Sequence, residues 1–146
     1  IDVDFSNGTI QNVSFENIGN DAIDISGSEV NIIDIKINSA RDKAISVGER
    51  SNLYGKSIKI SNAFIGLASK DLSSVMIKEF ISKDVKICIA AYQKKAEYGP
   101  GFIKLKDSDP NCKNNYVLEE GSSIKFAGYT LIPNSSSAYK ELYSLD

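Results

Sequence analysis

The sequence contains no histidine. This absence excludes catalytic triads with an imidazole base and metal sites that use histidine ligands. Two cysteines cannot hold a zinc ion by themselves. No apolar run approaches the ~20 residues of a membrane-spanning helix, and a net charge of -2 gives no reason to expect a nucleic-acid partner. We therefore expect no metal, no cofactor, no nucleic acid and no membrane span.

What the sequence does contain is a composition typical of globular proteins, with 42% hydrophobic and 25% charged residues among 146. This length can bury a core without the help of disulfides or metals. Residues 1–5 alternate like a strand, and no initiator methionine precedes them. We interpret the chain as a fragment whose upstream domain is a partner within the same parent protein.

The strongest signal is an internal repeat of about 22 residues. Residues 21–26, 43–48, 64–68 and 86–90 each alternate apolar with small or polar side chains, which is typical of a strand with one buried face. Their first isoleucines are separated by 22, 20 and 22 residues, and we align them as one column. The members of this column are Ile23, Ile45, Ile65 and Ile87.

Further columns recur with nearly the same period. One apolar column contains Val13, Ile35, Ile58, Phe80 and Phe102. Another contains Ile18, Ala40, Ala63 and Val85. A polar column, where small side chains favour turns, contains Asn17, Ser39, Asn62 and Asp84. A third apolar patch recurs at residues 30–33, 53–54 and 75–77.

Three short strands per repeat predict coils that wind around a dry interior, because a single coil cannot bury its own inward face. We predict an all-β fold, a right-handed parallel β-helix of about five coils of roughly 22 residues. The coils occupy residues 1–105, and the last coil with an irregular C-terminal cap occupies residues 106–146. The cap should contain a strand, turn and strand at 116–126 and a short helix within 135–146. A leucine-rich repeat has a similar period, but this chain favours isoleucine over leucine and lacks a helical period.

Residues 21–28 (DAIDISGS), 42–49 (DKAISVGE) and 68–73 (ASKDLS) resemble repeats of bacterial right-handed β-helix proteins. In particular, they are similar to the β-helix region beside CotH-like kinase domains of envelope or surface-polysaccharide proteins. The wider pectate-lyase-like superfamily acts on polysaccharides. The resemblance therefore implies a non-catalytic module at the cell surface or in another extracytoplasmic location. The alternative is a polysaccharide-processing enzyme, a lyase, hydrolase or uronan epimerase, that acts at an outer face.

The repeat predicts which side chains stack, because adjacent coils lie about 4.8 Å apart. Asp21 should lie over Lys43 and form an ion pair between coils. If the chain is an enzyme, Asp21 and Asp24 are the candidate carboxylates, and Arg41 or Lys43 is the candidate substrate clamp or base. The alternative is a solvated flank whose ion pair contributes ~0–1 kcal/mol.

A second candidate set follows the first strand of each repeat and would bind an acidic polysaccharide through outward basic and aromatic groups. This set contains Arg50, Lys70, Asp71 and Tyr92. An ordinary surface of mixed charge is the alternative, in which Asp71 bonds the backbone of its own turn.

The two cysteines are separated by 24 residues, about one coil. Cys88 alternates with Ile87 and Ile89 and should therefore face outward. A bridge to Cys112 would join the cap to the last coil and indicate an extracytoplasmic location; two free thiols are the alternative.

The first coil should leave an unpaired backbone edge at residues 1–5. We expect this open edge to support end-on self-association.

Overall fold

The structure, a computed structural model, describes residues 1–144. It is a parallel β-solenoid of about six turns with a short C-terminal helix. The predicted all-β fold is confirmed, with about one turn more than the repeat predicted. Branched isoleucine and valine side chains dominate the strands, where they pack well on a pleated surface.

The strands are long because several run through the bends of a coil. In chain order they are β1 (Asp2–Asp4), β2 (Asn7–Ile18), β3 (Ile23–Ser26), β4 (Glu29–Gly48), β5 (Asn52–Lys70), β6 (Ser74–Tyr92), β7 (Phe102–Ser108), β8 (Tyr116–Leu118), β9 (Ser123–Phe126) and β10 (Tyr129–Thr130). A 3-10 turn spans Pro110–Asn114, and helix α1 spans Ala138–Tyr143. The pairing is parallel from β1 to β9, and β10 folds back antiparallel on β9.

The register confirms two of the predicted apolar columns. Val13, Ile35, Ile58 and Phe80 lie against one another in successive coils. Ile18, Ala40, Ala63 and Val85 do the same. Most of these side chains lie in one continuous buried core that runs through the coils. No single coil could bury this core, so the stacking of coils supplies most of the apolar burial.

The first predicted column is wrong in its second half. Ile45 lies against Leu67, and Leu67 lies against Ile89. Ile65 instead lies between Lys43 and Ile87. The cause is an irregularity in the pairing between Ala40 and Lys43, where β4 contains one residue more than β5. Ile65 is nevertheless fully buried, because it belongs to a second core outside the coil.

The predicted stacking of Phe102 on Phe80 is also wrong. Phe102 pairs with Ser74, and Ser108 takes the place opposite Phe80. Residues 93–101 form a loop between β6 and β7 that lengthens this repeat, so that the paired positions are 28 residues apart. As a result, Phe80 is fully buried whereas Phe102 is 37% exposed.

A ladder of serines, which the sequence analysis did not identify, follows one corner of the solenoid. The hydroxyl of Ser28 accepts the Ser6 N–H at 2.9 Å, and the hydroxyl of Ser51 accepts the Ser28 N–H at 3.0 Å. The Ser73 hydroxyl accepts the Ser51 N–H at 3.1 Å, and the pattern returns between Gly101 and Ser122. These buried hydroxyls satisfy backbone donors that would otherwise be costly in the interior.

The predicted polar column lies at turns of the chain. Asn17, Ser39, Asn62 and Asp84 have φ values of 55°, 68°, 55° and 53°. Asparagine and aspartate tolerate this left-handed conformation better than most residues because their short side chains can bond locally. The column therefore bends the strands without interrupting the stack.

We expect Asp84→Val to lower the free energy of unfolding by about 1–2 kcal/mol, because a β-branched side chain is strained at positive φ. Urea denaturation would measure the change. Asp84→Gly is the matched control and should stay within about 0.5 kcal/mol of the wild type. Equal losses in both variants would mean that the aspartate side chain, and not the backbone conformation, matters.

The C-terminal segment covers part of the outer surface. Ala138 and Leu142 of α1 pack on Ile65, Ala68 and Tyr92, and this set forms the second core. At the opposite end, β1 lies at the edge of the sheet. Within residues 1–144, no helix has the length and apolar character to cross a membrane.

Candidate functional site

The predicted stacking of Asp21 and Lys43 appears as a buried contact between coils. The Lys43 ammonium lies 3.3 Å from Asp21 Oδ1 and 2.6 Å from Asp42 Oδ2. The backbone N–H of Lys43 also donates to Asp21 Oδ1 at 3.0 Å. Lys43 is only 6% exposed, so these three residues are not the solvated flank that was the alternative. We call them the Lys43 cluster.

Helix α1 completes the surroundings of this cluster. The Tyr143 hydroxyl donates to Asp42 Oδ1 at 3.0 Å, and the Lys43 ammonium lies 5.4 Å from the centre of the Tyr143 ring. Burial raises the pKa of the Tyr143 hydroxyl, which therefore remains a neutral donor. Burial alone would lower the pKa of Lys43, but its hydrogen bond to Asp42 and the charges of Asp21 and Asp42 raise it. Lys43 is therefore an ammonium in the folded protein.

Tyr92 does not face solvent, which corrects the expectation of an outward ring. It is fully buried in the second core, where α1 covers the outer face of β6. Its hydroxyl has no hydrogen-bond partner among the residues that the structure describes. Burial also raises the pKa of this hydroxyl.

Lys70 lies on the same outer face as the Lys43 cluster. Its ammonium donates to the Ser46 hydroxyl at 2.9 Å. Burial lowers the pKa of Lys70, and the nearby charge of Asp24 opposes this shift. Ser46 is completely buried, so a substrate cannot reach its hydroxyl. The pair is a structural contact and lacks the access that a nucleophile and its base require.

The other predicted binding residues are separated from one another. Arg41 is exposed, and the Arg50 guanidinium lies 5.6 Å from the centre of the Tyr98 ring. Asp71 is completely buried, and its Oδ1 accepts the backbone N–H groups of Lys94 and Lys95 at 2.8 and 2.7 Å. Asp71 therefore fixes the loop that follows β6 and does not face a ligand.

The cysteine side chains meet where the cap joins the coils. Cys88 and Cys112 form a disulfide, with Cα atoms 5.3 Å apart. Cys88 is 1% exposed and belongs to the core, which corrects the expectation that it faces outward. Regular alternation fails here, because Cys88 and Ile89 both join the main core while Ile87 packs on the second one.

A groove that the sequence analysis missed lies on another outer face. Its volume is about 940 Å³. The residues that line it are Tyr54, Gly55, Met76, Ile77, Lys78, Lys104, Leu105, Lys106, Asp107, Lys125, Ala127 and Gly128. Four of these side chains are lysines and one is a carboxylate, so the groove is cationic.

The register explains the composition of this groove. Tyr54, Met76, Lys104 and Lys125 form one outward column across β5, β6, β7 and β9. Lys78 and Lys106 lie two residues further along the same face, between pairs that the register fixes on either side. Tyr54 and Met76 are 45% and 47% exposed, so an apolar strip lies beside the ammonium groups. Rigid, neighbouring strands therefore hold the lysines near the ~4.8 Å spacing of the coils.

Charge is segregated along the chain despite a net value of -2. Residues 1–35 contain seven acidic and no basic side chains, a net charge of -7. Residues 36–105 contain 13 basic and six acidic side chains, a net charge of +7. The middle coils therefore carry a positive field that the total charge conceals.

No protein-family model, curated protein or solved structure matches this chain. The parallel β-solenoid is therefore what the structure shows of its kinship. Within the described part of the chain, no three histidine, cysteine, aspartate or glutamate side chains converge as metal ligands would.

Proposed function

We propose that this chain is a non-catalytic β-solenoid module of a bacterial surface or envelope protein, and that its lysine-lined groove binds an acidic polysaccharide. The observation that carries this proposal is the outward placement of Lys78, Lys104, Lys106 and Lys125 beside Tyr54. Ammonium groups attract carboxylates, and an exposed aromatic ring offers a flat apolar face to a sugar. The repeat residues that resemble CotH-like surface-polysaccharide proteins support the same setting.

The spacing of the lysines favours a polymer over a small ion. Each exposed ion pair contributes only ~0–1 kcal/mol, so one ammonium group binds weakly. A polyanion that lies along the solenoid axis meets a new pair of cationic positions at successive coils. Its affinity then arises from several simultaneous contacts, and salt should weaken it by screening them.

The alternative of a polysaccharide-processing enzyme requires a different arrangement. Glycosidases typically place two carboxyl groups on either side of the scissile bond. In the groove, Asp107 is the carboxylate of the lining. The predicted carboxylate Asp21 lies instead in the Lys43 cluster, where its side chain is 10% exposed. The geometry therefore favours binding over hydrolysis.

We expect a defined oligogalacturonate to bind the wild-type chain at low salt, as measured by isothermal titration calorimetry. The double variant Lys104→Glu, Lys125→Glu should bind at least tenfold more weakly, about 1.4 kcal/mol, because it reverses two charges of the groove. A neutral oligosaccharide of equal length should not bind.

The matched control is Lys83→Glu, Lys86→Glu, which makes the same change in net charge outside the groove. Its affinity should fall less than threefold. Equal losses in the two double variants would show attraction by bulk charge and would contradict a site in the groove. New reducing ends or unsaturated products during the titration would favour the enzyme.

A further inference from the structure

The Lys43 cluster brings together the groups that are needed to form an amide bond between side chains. We propose that Lys43 Nζ and the Asp21 carboxyl group condense into an isopeptide bond that joins two adjacent coils, with Asp42 as the proton carrier. This inference does not depend on the groove or on its ligand.

The reacting atoms are close together and are shielded from water. Lys43 Nζ lies 3.3 Å from Asp21 Oδ1, and the two side chains are 8% and 10% exposed. The residues belong to neighbouring coils held in register, with Ile23 paired to Ile45 just beyond them. Such fixed proximity replaces much of the entropic cost of a bimolecular reaction. Exclusion of water also disfavours hydrolysis of the amide product.

A donor is in place for the charge that develops during the reaction. When Nζ attacks Asp21 Cγ, negative charge collects on the carboxyl oxygens of the tetrahedral intermediate. The backbone N–H of Lys43 already donates to Asp21 Oδ1 at 3.0 Å. This amide therefore acts as an oxyanion donor, which is among the largest contributions to acyl-transfer catalysis.

A base is also in place. Lys43 is an ammonium at rest, so Nζ must lose a proton before it can attack. Asp42 Oδ2 lies 2.6 Å from Nζ and can accept that proton. The Tyr143 hydroxyl donates to the other Asp42 oxygen at 3.0 Å, which makes Tyr143 a positioning residue that orients the base.

The step balances without an outside reactant. The Lys43 Nζ–Asp21 Cγ bond forms, and one Asp21 Cγ–O bond breaks. Two of the three ammonium protons pass through Asp42 to the departing oxygen, which leaves as water. Asp42 ends as the carboxylate with which it began, and no group is oxidised or reduced.

Condensation also removes a costly arrangement of charge. A largely buried ammonium and carboxylate must give up hydration that their mutual attraction repays only in part. The amide is neutral, so the product site needs hydrogen bonds and not ions. This difference favours the cross-link in the folded chain.

Mass spectrometry of the intact chain after reduction of its disulfide tests the proposal. We expect most molecules to be lighter than the sequence by one water molecule. Trypsin should no longer cleave after Lys43 and should release one branched peptide that joins residues 1–36 to residues 42–50. Fragmentation must place the branch at Asp21 and Lys43.

Lys43→Arg keeps the positive charge but should restore the full mass, and Asp42→Asn should do the same because it removes the base. Tyr143→Phe should give a mixture of both masses. A wild-type chain at its full reduced mass would overturn the proposal regardless of how the variants fold. A water loss that maps to any other residue would overturn it as well.

Discussion

Replacing Phe80 by alanine is expected to lower the free energy of unfolding by about 3–5 kcal/mol. Phe80 is completely buried and lies against Ile58 in the column that runs through the coils. Truncation removes a large apolar side chain from water-excluded packing and leaves a cavity that rigid strands cannot close. Urea denaturation followed by far-ultraviolet circular dichroism would measure the loss.

Phe102 provides the matched control, because the sequence repeat places it in the same column as Phe80. In the structure Phe102 pairs with Ser74 and is 37% exposed. Phe102→Ala should therefore cost no more than about 1 kcal/mol. Comparable losses at the two positions would mean that the register follows the simple repeat and that the loop of residues 93–101 does not shift it.

The double variant Cys88→Ala, Cys112→Ala is expected to lose about 3 kcal/mol of stability. The disulfide closes a loop between residues 24 positions apart, and removing it increases the entropy of the unfolded chain. Alanine avoids placing a hydroxyl in the core. Denaturation with and without a reducing agent would measure the effect.

The wild type should become as unstable as the double variant when it is reduced, whereas the variant should not respond to the reducing agent. A wild type that is insensitive to complete reduction would contradict a stabilising bridge between the cap and the last coils. Free-thiol titration of the unfolded protein before reduction provides the check that the bridge is formed.

The regular part of the fold could be predicted because stacking imposes a period on the sequence. Val13, Ile35, Ile58 and Phe80 face the same interior, so each position selects an apolar side chain. The prediction fails where the chain departs from this period. One extra residue near Ala40 displaced Ile65, and neither this irregularity nor the loop of residues 93–101 has a pattern that a fixed period can detect.

The candidate sites were predictable to the same extent. The contact of Asp21 with Lys43 follows from a step of 22 residues within the regular coils. The groove was missed because Lys104 is displaced by the long loop from its partner Met76 in the previous coil. Aligning residues 74–80 with residues 102–108 would have found it. The burial of Tyr92 depends on a helix that no repeat encodes.

The hydrogen bond between Tyr143 and Asp42 joins residues 101 positions apart. Helix α1 has only six residues, so it gains little order by itself. It can dock only on a surface that β5 and β6 have already assembled. Contacts of such long sequence separation form late, because the intervening chain must first become compact. The C-terminal helix therefore reports that winding is complete, and a chain stalled partway would display Ile65 and Tyr92 to whatever quality control inspects it.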